Sequence, residues 1–322
     1  VHALRAEDEA AFQALLRAVY GETYSHQSLY RPGGLRALLD ERALLWGEFD
    51  EHGDLVGHTG FLRKDPRGDY SESGLSFARP GRVARRVRSD LEDRTLWPRL
   101  LSSAETPLVH QHTTTWHPLA QRYAERYLGA RFSGLVLRYT VGERLEGFAS
   151  RDIMDAVALT SVVAPLAERS AARVPEGPFA DWLCTLFANF GREVQRVSCE
   201  TSCPTGSLET FERSEGLDLV RRVVVRSRDP LSPSTVPPSG TRTDLVHLPT
   251  DERIHAFNTI TNCGYLPVGI RIHATRPDEV VFQRLTGETK REGLLRLVSP
   301  STSLIPSIRT HVSTFVEVAT AR

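Results

Sequence analysis

The sequence predicts an α/β chain in two domains, and three observations carry this. Its 322 residues exceed one typical core and suit two of roughly 150 residues each. Through the first half, apolar residues switch repeatedly between helical and strand-like spacing. A strand–helix–glycine–strand unit at 108–136 returns at 243–274, and a weak repeat of that size implies duplicated domains rather than a solenoid.

The elements of the first half follow in order. Residues 1–5 read as a short strand, and 7–20 as a helix that spaces Phe12, Leu15, Leu16 and Val19 along one face behind an acidic start. Leu35, Leu38 and Leu39 repeat the signal over 33–42. Strands at 44–49 and 55–63 flank Asp50-Glu51-His52-Gly53-Asp54, a hairpin signal. A strand at 72–78, a helix over 82–101, a strand at 108–114, a helix at 117–128 closed by Gly129 and a strand at 131–140 complete the half. Residues 149–322 are harder to read. A helix is expected at 181–190, strands at 193–198 and 217–228, and a proline-rich loop at 229–240. The recurring unit then gives a strand at 243–248, a helix at 251–262, a stop at Cys263-Gly264-Tyr265 and a strand at 268–274.

Composition excludes several classes. With 40% hydrophobic and 25% charged residues the chain is neither disordered nor fibrous. Forty basic side chains balance forty acidic ones, which argues against a protein that coats nucleic acid. No apolar run reaches the roughly 20 residues of a membrane span. The N-terminus carries no signal-peptide pattern, and a start at Val1 is expected of a trimmed chain. Cys184, Cys199, Cys203 and Cys263 form no Cys-x-x-Cys pair and read as buried free thiols, as in the cytoplasm. Apart from Lys64 and Lys290 every basic residue is Arg, a bias that suits a GC-rich genome.

Three stretches carry a resemblance: Asp54-Leu-Val-Gly-His-Thr-Gly-Phe61, Glu72-Ser-Gly-Leu-Ser-Phe-Ala-Arg-Pro-Gly-Arg82, and Thr115-Trp-His-Pro-Leu-Ala-Gln121 leading to Leu128-Gly129. With the element order, they make residues 1–140 resemble the GCN5-related N-acyltransferase (GNAT) superfamily. The whole chain resembles a tandem pair of such domains, each a mixed, largely antiparallel central sheet flanked by helices. The resemblance implies a catalytic domain at 1–148 and a degenerate copy at 149–322. It also implies acyl transfer from a phosphopantetheine thioester to an amine or hydroxyl. Leu75, Ser76 and Phe77 would then lie where the fourth strand splays from the fifth, hydrogen-bonding the pantetheine arm and polarising the thioester carbonyl. The loop and helix start that follow would hold the phosphates.

That loop departs from the family pattern. Pro80-Gly-Arg-Val-Ala-Arg-Arg-Val-Arg88 places Arg86 and Arg88 where glycines usually wrap a diphosphate. Arg79, Arg82, Arg85, Arg86 and Arg88 fall within ten residues that hold no acid. A solvated helix face explains them, and so does a phosphate-binding or partner-docking patch. An acyl or peptidyl carrier protein offers one phosphodiester and an acidic surface, so a carrier-bound donor is favoured narrowly over acyl-CoA. A tRNA-dependent aminoacyl transferase and a non-catalytic ligand-binding protein are the alternatives. The acceptor is read as a small molecule, with secondary metabolism such as antibiotic biosynthesis as the setting, and with neither a membrane nor a nucleic acid as partner.

Acyl transfer to an amine needs a base for the acceptor and an acid for the leaving thiolate. His110 and His112 share one face of their strand by alternation, and Glu72 opens the preceding strand. The family's tyrosine acid, four residues before the closing glycine, would fall on Glu125 here, between Tyr123 and Tyr127; Tyr123, one turn closer to the cleft end, is chosen, with Tyr127 left to packing. His58 reads as a hydrogen-bonded structural histidine. His117 and Gln121 could contact the donor or simply cap their helix. No third ligand joins His110 and His112, so no metal is expected. Neither a nucleophile elbow, a P-loop nor a dinucleotide fingerprint is present.

Overall fold

A computed structural model describes residues 2–24, 26–41, 43–62, 71–79, 108–115, 118–140, 154–163, 171–199, 213–215, 218–222, 243–262, 264–273, 276–284, 294–295, 297–298 and 304–321. β1 (His2–Ala3) leads through a 3-10 turn into α1 (Glu9–Tyr20), which buries Phe12, Leu15, Leu16 and Val19. The Glu9 carboxylate accepts the N–H groups of Gly33 and Leu35, at 2.7 and 3.1 Å, at the start of α2 (Gly34–Asp40). β2 (Leu44–Phe49) and β3 (Leu55–Leu62) form the expected hairpin. Asp50 Oδ1 closes its turn by accepting the N–H groups of His52 and Asp54, each at 3.0 Å. β4 (Ser71–Ala78), β5 (Leu108–Thr114), α3 (Leu119–Leu128) and β6 (Arg131–Thr140) follow. The helix expected over 82–101 lies outside the described residues.

The remaining elements are β7 (Met154–Val163), β8 (Ala172–Pro175), α4 (Ala180–Asn189), β9 (Val194–Val197), β10 (Arg213–Glu215), β11 (Asp218–Arg222) and β12 (Thr243–Pro249). A 3-10 turn (Glu252–Ala256) then leads into α5 (Phe257–Asn262), β13 (Tyr265–Arg271), β14 (Glu279–Arg284) and α6 (Pro306–Thr320). The sequence reading lacks β7, β8, β10, β14 and α6. The proline-rich stretch 229–240 lies outside the described residues.

β8 and β9 form a parallel pair of their own. The other twelve strands join in one sheet, in the order β1-β2-β3-β4-β5-β7-β6-β13-β14-β12-β11-β10. Among the described residues only β4/β5 and β11/β12 are parallel in it. β7 lies between β5 and β6, bonded to both, from Leu108↔Val163 to Thr114↔Val157 on one side. β7 follows the expected boundary at 148 and shares its ladder with strands that precede it.

Read outward from the centre, both halves have the same order. β6, β7, β5, β4, β3 runs one way and β13, β14, β12, β11, β10 the other, with the parallel pair at the same step in each. Gly129 and Gly264, both at positive φ, precede the two central strands. Those strands shift register just before Gly134 and Gly269, where they meet antiparallel. A Cβ on Gly134 would stand 2.4 Å from Gly269 Cα, and one on Gly269 would stand 2.7 Å from Gly134 Cα. Backbone presses on backbone here, so both positions need glycine.

Two cores result. Leu4, Phe12, Leu15, Leu16, Leu35, Leu45, Leu55 and Phe77 fill the smaller, between α1, α2 and the first four strands. The larger runs from Leu108 and Phe132 through Trp182, Phe187, Leu248 and Phe282 to Phe315, spanning both halves. They divide between β4 and β5. Buried amides cross-link the larger one: Gln283 Oε1 accepts Leu137 N–H at 2.8 Å while its Nε2 donates to Leu137 O. Gln121, fully buried on α3, accepts Ile305 N–H at 3.1 Å just before α6.

Candidate functional site

The break between the cores is also a break in the sheet. β4 and β5 pair over three rungs, Ser71↔Val109, Glu72↔His110 and Ser73↔Gln111, and then part. Beyond them β5 stays zipped to β7 as far as Thr114, and β4 stays zipped to β3 as far as Ala78. The facing edges are left without ladder bonds to each other, so the sheet opens as a V at Gly74 and His112. The cause is visible on β3. His58 pairs with Phe77 and Gly60 with Gly74, so β4 holds one more residue than β3 across that interval. This β-bulge sets Leu75 and Ser76 against Thr59 and turns β4 away from β5.

The described candidates on β4 and β5 lie along the two strands that form this V. Glu72 and His110 are register partners on a closed rung, and His110 is buried. His112, half-buried, stands on the same face of β5 just past the last rung. Leu75 lies on the bulge. Ser76 is exposed there, its Oγ 2.6 Å from Oγ1 of buried Thr59. The Phe77 side chain is buried against α1, with its ring 6.0 Å from Phe12 and 5.4 Å from Tyr20. Only its backbone is left for a ligand. Tyr123 lies on α3, the helix packed behind β5. Gln121 is committed to the Ile305 backbone, which ends its candidacy as a donor contact.

Arg79 ends β4 with its N–H on Val56 O at 2.8 Å, and its guanidinium pairs with Asp54 at 3.5 Å. Both partners are substantially exposed, so the pair is weak and exchangeable. Arg82, Arg85, Arg86 and Arg88 lie outside the described residues, as does His117.

His58 is buried as expected, but among the described residues neither ring nitrogen has a hydrogen-bond partner. Its ring stands edge-on to Phe77 at 3.9 Å, with Phe12 at 5.0 Å. Burial lowers its pKa to about 3, so the imidazole is neutral.

A second cluster, which no spacing in the sequence marks, lies in the other half. Glu279 Oε2 takes His247 Nδ1 at 3.1 Å and His273 Nε2 at 3.0 Å, all three side chains being buried. Arg276 Nε–H donates to His273 Nδ1 at 3.0 Å, which makes His273 the neutral tautomer with its proton on Nε2. Beside it Arg192 Nε lies 2.9 Å from Asp278 Oδ2. Burial alone would raise the Glu279 carboxyl, but the two imidazoles hold it well below the ordinary range, so it is ionised. Burial lowers the His273 pKa against the opposing pull of Glu279. Among the described residues no three His, Cys, Asp or Glu side chains are arranged to hold a metal ion. No described helix is long and apolar enough to cross a membrane.

A mixed, largely antiparallel sheet that opens at its parallel pair, with helices after the first and fifth strands, is the fold class implied by the N-acyltransferase resemblance. No family model matches the chain, and no curated protein matches it. Solved structures do. One is a chimera of the spermidine N-acetyltransferase SpeG from Vibrio cholerae and hSSAT, 12% identical, TM-score 0.39, matched over 50% of this chain and 95% of that one. Another is the spermidine/spermine N-acetyltransferase SpeG from Vibrio cholerae in complex with manganese ions, 15% identical, TM-score 0.36, over 50% and 90% of the two chains.

Proposed function

We propose that the chain is an acyltransferase working in the V between β4 and β5, taking an acyl group from a phosphopantetheine thioester to an amine of a small molecule. The observation that carries this is the bulged, unpaired edge of β4 over Leu75, Ser76 and Phe77. An extended pantetheine arm suits such an edge, because its amides can continue the ladder that β5 abandons. Backbone N–H groups on the bulge would meet the oxygen of the thioester carbonyl as charge develops there. The acceptor nitrogen bonds to the carbonyl carbon and gives its proton to His112. The carbon–sulfur bond breaks, and Tyr123 supplies a proton to the thiolate. His112 is preferred over His110 because it stands where the strands have parted.

The donor is a carrier-protein thioester, with the run 79–88 as the docking patch and the site of the single phosphodiester. Arginines in place of glycines favour this over acyl-CoA. Residues 149–322 act as a degenerate partner that buttresses the first half, in a cytoplasmic enzyme of secondary metabolism. The test is direct. Purified protein is incubated with a panel of amines and either acetyl-CoA or an acetyl-loaded carrier protein. Acylated product with the loaded carrier supports the proposal, and product with acetyl-CoA alone overturns the choice of donor. No product, with no binding of either donor by calorimetry, overturns the enzyme.

A further inference from the structure

We infer that Thr59 is a positioning residue for the donor cleft, acting through Ser76; this rests on the acyltransferase reading of the V. The bulge gives β4 an extra residue, and at that point the β3/β4 ladder loses the regular bonds that would hold it. A side-chain bond takes their place. Thr59 Oγ1 and Ser76 Oγ are 2.6 Å apart, short even for a hydroxyl pair. Thr59 is 4% exposed and anchored in the middle of β3, while Ser76 is exposed at the tip of the bulge. One end of the bond is thus fixed and the other lies on the segment that must stay turned out.

The opposite face of the bulge is held differently. His58 and Phe77 pack edge to face there, with Phe12 behind them, and no polar contact to His58 shares the task. Packing is non-directional and tolerates a sliding strand. The hydroxyl pair is directional, and it selects the register in which Leu75 and Ser76 together face Thr59. Removing it should let β4 relax toward regular pairing with β3, narrow the V and disorder the amides offered to the donor.

The test uses the full chain with Thr59→Val, Ser76→Ala, the double variant and Thr59→Ser. Thr59→Val keeps the shape and removes the hydroxyl. The binding probe, read by calorimetry, is the acetyl-loaded carrier protein, or acetyl-CoA if the wild-type chain binds only that, and amide hydrogen exchange at Leu75, Ser76 and Phe77 reads the bulge itself. Thr59→Val should weaken donor binding about 2- to 12-fold, the worth of one hydrogen bond. It should also speed exchange at those amides, with the melting temperature within about 4 °C of wild type. Thr59→Ser should restore both, and the double variant should be no worse than either single one. Unchanged exchange at 75–77 in Thr59→Val overturns the inference, as does donor binding equal to wild type. A wild-type chain that binds neither acetyl-CoA nor a loaded carrier overturns the acyltransferase reading instead, and the exchange comparison still decides whether the hydroxyl pair holds the bulge.

Discussion

His58 shows what a single side chain contributes and what its type conceals. Its Gly57-His58 context placed it in a strand beside the core, and it is there, but the hydrogen bond expected of a core histidine is missing. Aromatic rings from α1 and β4 surround it, and which rings meet across strands is a long-range fact that local sequence does not carry. The consequence is a pH dependence with a definite sign. The folded pKa is near 3 against an ordinary 6.5, so the native state refuses a proton that the unfolded chain accepts. This contribution is fully present above pH 6.5 and is lost as pH falls from there toward 3. His58→Phe should therefore flatten the acid limb. Between pH 7 and 4.5, wild type should lose about 2 kcal/mol more than the variant in urea unfolding; equal losses would exclude this account. The shared face of His110 and His112 was legible from alternation, whereas Ser76 and Phe77 came only through the family resemblance, Phe77 as a position and not as a buried ring.

At the scale of elements, those that carry a clear local signal of their own were read, whereas β7, β8, β10, β14 and α6 were not. The β2–β3 hairpin carries its own turn chemistry, and α1 carries its own apolar stripe. β7 is an apolar run that becomes a strand only because β5 and β6 leave a slot between them. α6 is rich in Thr and Val, poor helix formers, and only the buried spacing of Ile308, Val312, Phe315, Val316 and Ala319 marks it. The V is likewise a relation between strands, legible through family resemblance and not from spacing. It makes an asymmetric expectation for the two histidines of β5. His112→Ala should lower kcat/KM about 100-fold or more with little change in melting temperature, while His110→Ala, on a closed rung, should chiefly lower stability. Steady-state kinetics with calorimetric melting separates them, and the reverse pattern would move the base to His110. In the other half Glu279 holds β12 to the end of β13 through His247 and His273. Glu279→Gln removes the charge that both imidazole N–H groups face and sets an amide N–H against one of them. A loss of about 3 kcal/mol is expected in denaturant unfolding at pH 7, and a loss within 0.5 kcal/mol would show that the cluster is not needed.

For the whole molecule, the twelve-stranded sheet is two similar fans joined at one glycine pair, and the join explains why a boundary could not be read from composition. The fans meet without a gap, because the central strands β6 and β13 touch directly and Gln283 reaches across to Leu137. The fans differ where it matters for function. β4 and β5 part after three rungs, whereas β11 and β12 remain paired over five, from Asp218↔Thr243 to Arg222↔His247. In the first fan the last rung lies just before His112, and in the second it includes His247, whose ring is committed to buried Glu279. An arm that binds by continuing a ladder needs an edge without a partner, and across these rungs the second fan has closed that edge. One donor per chain is therefore expected, seated in the first fan. Calorimetry with a loaded carrier protein should give a stoichiometry of about one, and Ser76→Ala should weaken that single event. A stoichiometry of two, or a single event untouched by Ser76→Ala, would place a donor in the second fan. That result would require β11 and β12 to separate on binding, which faster amide exchange along 218–222 in the loaded state would reveal.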